Sequence, residues 1–365
     1  MKMVSIDGNM AKRKTIYTNF CLLIMALITF SSKGIYCKQA GIYIDPWKPV
    51  KRALITHAHA DHSRPGMKSY LAHTDSLPVM RHRLGEVDIE GIAYKKTIDL
   101  NGVKVSFHPA GHAPGSAQIR LEYKGEIWVI SGDYKLGKDG LSAPFEPVKC
   151  NHFVTESTFG LPIYKWKPQD EIMADINGWW AENNSMGFAS VMLGYSFGKA
   201  QRILANLDPS IGEIFVHGAI HNTNLALEMA GYSFPENTYV NSEVDKSRYK
   251  GAMIIAPPSA LGSPWIRQFK PYKVATASGW MALRGARRRR NVDKGFILSD
   301  HADFEELNTA VAETGAENIF VTHGYSTVYS KWLRTKGLNA KVVETEYEGE
   351  LSEIGESVNK EKEGE

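Results

Sequence analysis

Short apolar runs alternate with longer amphipathic stretches along this chain. Ala53-Leu54-Ile55, Ile127-Trp128-Val129-Ile130, Ser190-Val191-Met192-Leu193, Ile214-Phe215-Val216 and Ile319-Phe320-Val321 are too short for helices and read as buried strands. Lys199 to Asn206 and Asp303 to Glu313 read as helices. This alternation predicts an α/β fold. Phe296-Ile297-Leu298, then Asp303 to Glu313, then Ile319-Phe320-Val321 predict a strand, a helix and a strand that return the end of the chain to the sheet of the early strands.

One loop between these elements carries chemistry. Thr56-His57-Ala58-His59-Ala60-Asp61-His62 places four potential metal ligands in six residues, directly after the strand Ala53-Leu54-Ile55. A solvated loop has no need of three imidazoles, and a core has no need of Asp61. The carboxyl ends of strands are where open α/β sheets place their sites. Imidazole and carboxylate without cysteine suit Zn2+, or Mn2+, with open coordination positions better than a closed structural zinc. Neighbouring ligands that cannot all reach one tetrahedral ion predict two ions, His57 and His59 facing one, Asp61 and His62 the other. Two-metal sites are typical of phosphoesterases and nucleases.

Composition sets the setting. At 365 residues, 43% hydrophobic and 23% charged, the chain is long enough for two domains and close to the globular average. Cys21, Cys37 and Cys150 are odd in number and widely spaced, which argues against a disulfide framework and for a reducing, cytoplasmic setting. Lys12-Arg13-Lys14 followed by Asn19 to Phe30 imitates a secretory signal. The apolar stretch is short and broken against the ~20 residues of a membrane span, and Ser31-Ser32-Lys33-Gly34 is a poor cleavage site. No stable membrane association is expected, residues 1–24 read as a non-core extension, and Met25 is a natural start.

The H-x-H-x-D-H run resembles the signature of the metallo-β-lactamase superfamily, and later segments resemble its further motifs in order. These are Asp45 after Gly41-Ile42-Tyr43-Ile44, His112 in Gly111-His112-Ala113-Pro114-Gly115-Ser116, and Asp133 after Ile127 to Gly132. The resemblance implies that His57, His59 and His112 hold one metal, that Asp61 and His62 hold the second, and that Asp133 bridges them. Asp45 would support catalysis by orienting the histidine loop. Glu156 in Val154-Thr155-Glu156-Ser157-Thr158, His301 in Leu298-Ser299-Asp300-His301-Ala302-Asp303 and His323 in Val321-Thr322-His323-Gly324 resemble the three motifs of the β-CASP nucleases. That likeness implies that His323 completes the second metal's ligands. It also implies that His301 protonates the leaving oxygen, with Glu156 orienting it.

The family implies a four-layer αββα metallo-β-lactamase core interrupted by a β-CASP-like α/β domain. Residues 25–160 would form the first part of the core, 161–292 the inserted domain, 293–347 the return segment and 348–365 a disordered charged tail. Leu27 to Phe30 looks like the family's first strand. Tyr43 to Val50, Phe197 to Arg202 and Ser278-Gly279-Trp280-Met281 resemble the bacterial ligase-associated DNA exonucleases, also labelled RNA 3′-end processing factors. This implies a nucleic-acid exonuclease, with a functional association to an ATP-dependent DNA ligase and a helicase. The breadth of that match favours DNA. His323 pulls toward RNA, since the RNA-processing branch has histidine at this position where the Artemis-like DNA branch has valine. A thioester or lactam hydrolase and a non-catalytic scaffold are the competing classes, because fold does not fix function.

Net charge is only +3, so polyanion binding must come from clustering. Arg284, Arg287, Arg288, Arg289 and Arg290 fall in seven residues with no acid among them, and are candidates for phosphate contact or for salt bridges to distant carboxylates. Gly194 to Ala200 imitates a P-loop, but Ala200 stands where Ser or Thr must bind Mg2+, which argues against an ATPase. The same turn, with Lys199 and Arg202, is a candidate for holding a substrate phosphate. Trp179 and Trp180 read as core, while Tyr195 and Trp280, beside glycine turns, read as base-stacking candidates.

Overall fold

The computed structural model describes residues 27–285 and 292–347. The extension 1–24, the tail 348–365 and Arg287, Arg288, Arg289 and Arg290 lie outside the described residues. No helix among the described residues is long and apolar enough to cross a membrane.

The first sheet is built in chain order from β1 (Ile28–Ser31), β2 (Gly34–Cys37), β3 (Ile42–Ile44), β4 (Arg52–Leu54), β5 (Ser69–His73) and β6 (Ile89–Ile92). Its first three strands are antiparallel and the rest pair in parallel. Helix α1 (Leu77–Leu84) lies between β5 and β6. The second sheet starts with β7 (Thr97–Leu100), β8 (Val103–Pro109), β9 (Ala117–Tyr123), β10 (Glu126–Ile130) and β11 (His152–Ser157).

The chain then leaves this sheet. After α2 (Gln169–Ser185) it forms β12 (Ala189–Leu193), α3 (Lys199–Leu204), β13 (Ile214–Val216), α4 (Gly218–Glu228), β14 (Thr238–Tyr239), β15 (Met253–Ala256), β16 (Tyr272–Ala277) and β17 (Lys294–Phe296). These six strands form a third, parallel sheet in the order β14-β13-β15-β12-β16-β17. Strands β12, β13 and β15 are buried along their whole length, as expected where both faces of a parallel sheet are covered. Helix α5 (Phe304–Thr314), β18 (Asn318–Gly324), α6 (Ser326–Thr335) and β19 (Asn339–Val342) follow, with β18 parallel to β11 and β19 parallel to β18.

One expectation is corrected here. The strand ahead of His301 does not return to the sheet of the early strands, because Ala277 pairs with Phe296 at the edge of the third sheet. The return is made by β18.

The first two sheets pack face to face. Ile35, Ile44, Leu54 and Leu71 meet Val105, Phe107, Ile119 and Leu121 in one apolar cluster. Val79 and Met80 of α1 cover the outer face of the first sheet around Ala53 and Tyr70. Leu307, Val311, Tyr329 and Leu333 of α5 and α6 cover the second around Phe153 and Ile319. The third sheet has its own core, in which Ile176 and Trp180 of α2 pack on Met192, Met253 and Ile255. Trp179 and Trp180 are therefore core, as the sequence predicted. Trp280 is corrected: it is buried against Phe159, Tyr164 and Tyr325, with no face open to a base.

Candidate metal centre

Seven loops and strand ends bring the motif residues together. Asp45 follows β3 in a left-handed conformation, φ 40°. Its carboxylate accepts from the Thr56 backbone N-H at 2.8 Å, from the Thr56 hydroxyl at 2.5 Å and from His62 Nδ1 at 2.8 Å. Because the Thr56 hydroxyl proton goes to Asp45, its oxygen is left to accept from His57 Nδ1 at 3.0 Å. One carboxylate thus fixes the tautomers of His57 and His62 together. Arg83 holds the same loop from α1, donating from Nη1 to the Ala58 carbonyl and to Ser63 Oγ, both at 2.7 Å.

Asp133 enters after β10. The preceding Gly132 has φ 58°, and a Cβ there would stand 2.6 Å from Thr56 Cβ and Oγ1, so only glycine lets this turn close on the histidine loop. Glu156 sits at a register shift between β11 and β18, a bulge that turns one side chain out of the ladder. His301 is positioned by the start of α5, where Asp303 and Glu306 form a capping box at 2.9 and 3.1 Å.

The remaining imidazoles are anchored in the same way, each through one nitrogen. His59 Nε2 donates to the Phe197 carbonyl at 3.2 Å, and His112 Nδ1 donates to the Asp300 carbonyl at 2.8 Å. His59 Nδ1 and His112 Nε2 are then two bare lone pairs facing each other at 2.9 Å. Thr322, which donates to the Thr155 carbonyl, accepts from His323 Nδ1 at 3.3 Å and leaves His323 Nε2 toward Asp133 Oδ1 at 3.1 Å. His57 Nε2 and His62 Nε2 are buried without hydrogen-bond partners among the described residues, 3.6 and 3.5 Å from Asp133 Oδ2. Asp61 stands 3.8 Å from His62 Nε2.

Lone pairs aimed at one another and at carboxylates repel unless cations lie among them, so this donor set fits metal ions. His57, His59, His112 and Asp133 offer ligand atoms within 4.8 Å of one another. His62 also faces Asp133 Oδ2, with Asp61 beside it, and His323 faces Asp133 Oδ1.

The electrostatics agree. Burial, then the neighbouring imidazoles, holds His57 well below the usual histidine range, and burial with His301 and His59 brings His112 down to about 3. Both are neutral at neutral pH, the state in which an imidazole can bind a metal ion. Burial acts the same way on His62, but Asp133, Asp61 and Asp45 outweigh it and hold that imidazole up at about 10.

His301 stands slightly apart. Its Nδ1 lies 3.0 Å from Glu156 Oε2 and 3.2 Å from Oε1, and burial is outweighed by Glu156 and Asp133, so its pKa is raised to about 10. The sequence reading did not single out Asp300, whose carboxylate stands with His112 and His301 within 4.8 Å. Its position next to His301 was the available signal. Tyr347 was also missed: its ring stacks on His62 at 4.4 Å and its hydroxyl donates to the Asp45 carbonyl at 3.1 Å. No sequence pattern marks it.

Two phosphate-binding expectations are corrected. Lys199 is fully buried, with Nζ 3.1 Å from Asp300 Oδ1, and Arg202 is buried on Asp139 at 2.8 Å and on the Ser299 carbonyl at 2.7 Å. Both charges are committed to internal partners. Arg284 is exposed at the edge of the described residues. A cleft of about 580 Å3 opens over the centre, lined by His59, Asp61, Asp133 and His301 on one side and by Tyr195, Ser196 and Phe197 on the other.

No family model matches the chain. A probable DNA ligase of Opitutus terrae is 31% identical over 324 residues, covering 88% of this chain and 31% of that protein. The endoribonuclease YSH1 of Saccharomyces cerevisiae is 22% identical over 295 residues, covering 65% of this chain and 38% of that protein. The chain belongs to the β-CASP metallo-β-lactamase family. It spans about a third of the length of these relatives. A crystal structure of a protein of unknown function from Enterococcus faecalis shares the fold of this β-CASP chain at a TM-score of 0.56 and 12% identity, over 76% of each.

Proposed function

We propose that the protein is a dinuclear-metal phosphodiester hydrolase, an exonuclease acting on DNA. The observation that carries this reading is the convergence of five singly anchored imidazoles and Asp61 on Asp133, beside an imidazole backed by Glu156. Two divalent ions, Zn2+ or alternatively Mn2+, bound by His57, His59 and His112 and by Asp61, His62 and His323 with Asp133 between, would supply Lewis acidity toward phosphate and lower the pKa of water.

The chain's own groups do the rest. Asp45 and Thr56 hold the ligand loop in one tautomeric state. Glu156 fixes the His301 Nδ1 proton, so Nε2 is the atom that gives a proton to the departing oxygen. This pairing favours phosphodiester cleavage over thioester hydrolysis, because a departing alkoxide needs a proton donor whereas a thiolate leaves without one.

The likeness over most of this chain to part of a protein named a probable DNA ligase supports DNA as substrate. It also supports a working association with a DNA ligase; ATP dependence of that ligase, a helicase partner and a cytoplasmic setting are proposed from the sequence alone. The arginine run from Arg284 to Arg290 is the proposed outlying phosphate contact. RNA 3′-end processing is the second reading, favoured by the endoribonuclease relatives and by His323. Incubating the metal-loaded protein with end-labelled single- and double-stranded DNA and RNA tests both. Progressive shortening of DNA is expected, and a clear preference for RNA ends under the same metal and salt would overturn the DNA assignment.

A further inference from the structure

Away from the cleft, the outer side of the first sheet carries a second concentration of positive charge. A shallow groove of about 440 Å3 is lined by Lys33, Tyr36, Tyr43, Lys51, Arg52 and Lys68, among other residues, and no carboxylate lines it. The neighbouring Lys48 is paired with Glu346 at 3.4 Å, whereas none of the four groove cations has a carboxylate within 4.0 Å among the described residues.

The strand period builds this surface. Tyr36 and Tyr43 are directly opposed in the antiparallel pair β2 and β3, so both rings leave on one face, while their neighbours Ile35 and Ile44 enter the core. The rings stack with centroids 4.4 Å apart and remain half-buried. Lys68 N-H bonds the Val50 carbonyl at 3.0 Å and Ser69 N-H bonds the Lys51 carbonyl at 3.1 Å, which sets Lys51 and Lys68 side by side at the entry of β4 and β5. Lys33 lies in the turn before β2, and its carbonyl accepts from Trp47 N-H at 3.1 Å.

Unrelieved like charges cost stability unless a polyanion meets them. A ligand with regularly spaced phosphates and flat apolar faces matches both the cations and the tyrosine pair, and single-stranded nucleic acid has both. A duplex hides its base faces. The groove is also continuous in sequence with the catalytic cleft, since Arg64 lines the cleft and Gly66 and Lys68 line the groove.

We infer that this groove is a docking surface for single-stranded nucleic acid, holding the stretch of strand that has not yet reached the metal centre. The inference rests on the nuclease reading above.

The test uses the full-length, metal-loaded protein and a fluorescent oligothymidylate, with His301→Ala in the binding titrations to suppress turnover. Lys51→Glu combined with Lys68→Glu is expected to flatten the slope of log affinity against log salt by about 0.7 per lost contact. In the catalytically intact background the same pair should raise KM on long oligonucleotides and leave turnover of bis(p-nitrophenyl) phosphate unchanged. Tyr36→Leu with Tyr43→Leu should weaken binding on the order of 10-fold without changing the slope. Thermal melting checks that each variant folds.

Wild-type slope and affinity in the charge variant, with diester turnover intact, would overturn the groove and leave the nuclease reading standing. Loss of binding to polyglutamate alone would overturn it in favour of an acidic polypeptide. Absence of hydrolysis of both substrates, with the predicted slope change present, would sink the nuclease reading and leave a nucleic-acid docking surface.

Discussion

His301 Nδ1 lies 3.0 Å from Glu156 Oε2, and the other carboxylate oxygen, Oε1, accepts the Tyr134 backbone N-H at 2.8 Å. The glutamate is therefore held by the loop after β10 that carries Asp133, and the imidazole is held by the glutamate. General acid catalysis contributes about 10²- to 10⁴-fold, so His301→Ala should lose that order of turnover with metal content unchanged. Glu156→Gln together with His301→Ala should be little worse than either alone, as expected of groups acting as a unit. Metal loss in His301→Ala, read by plasma mass spectrometry, would reassign the residue as a ligand.

Asp133 faces His57 and His62 with one oxygen and His323 with the other. Asp133→Ala should therefore reduce bound metal from two ions per chain toward none and abolish most activity. One tightly held ion, unaffected by the change, would contradict a shared carboxylate.

Asp45 fixes two of the imidazoles, His62 directly and His57 through the Thr56 hydroxyl. Asp45→Asn should weaken metal affinity roughly 10- to 100-fold, the usual effect of losing a partner that orients ligands. Competition with a chromogenic chelator measures this directly, and affinity equal to wild type would dismiss the orienting role.

The metal-free protein should lose stability in acid. Burial, with His301 and His59, brings His112 down to about 3 in the folded chain, while an unfolded histidine titrates near ~6.5. Below that value the unfolded chain binds a proton that the folded chain refuses, so stability falls as pH drops from about 6.5 toward 3. The raised pKa of His62 acts in the opposite sense, and its contribution is complete below ~6.5 and lost as pH rises toward about 10. Urea midpoints of the chelated protein at pH 7 and pH 5 decide this, and a higher midpoint at pH 5 would refute it.

The histidine loop was legible as a candidate site because its information is local: His57, His59, Asp61 and His62 stand out by residue type and spacing, and the strand before them by its apolar run. Strands β12 and β13 were legible for the same reason. Lys199 and Arg202 were misread because a side chain's fate depends on partners distant in sequence. Asp300 and Asp139 neutralise them across 101 and 63 positions, and nothing near a lysine in a glycine turn reveals that. Phe296 was placed in the wrong sheet because an apolar triplet predicts a strand but not its neighbour.

Lys199 and Asp300 also govern how the molecule can move. Parting this fully buried pair would strand two charges out of water, at a penalty of several kcal/mol per ion. The start of α3 is thereby moored to the segment that carries His301 and that accepts from His112 through the Asp300 carbonyl. The third sheet's segment cannot swing away at this point as a lid would. If the strand proposed as substrate binds in the cleft, it would enter and leave by threading past this wall rather than through an opening made at the Lys199–Asp300 contact.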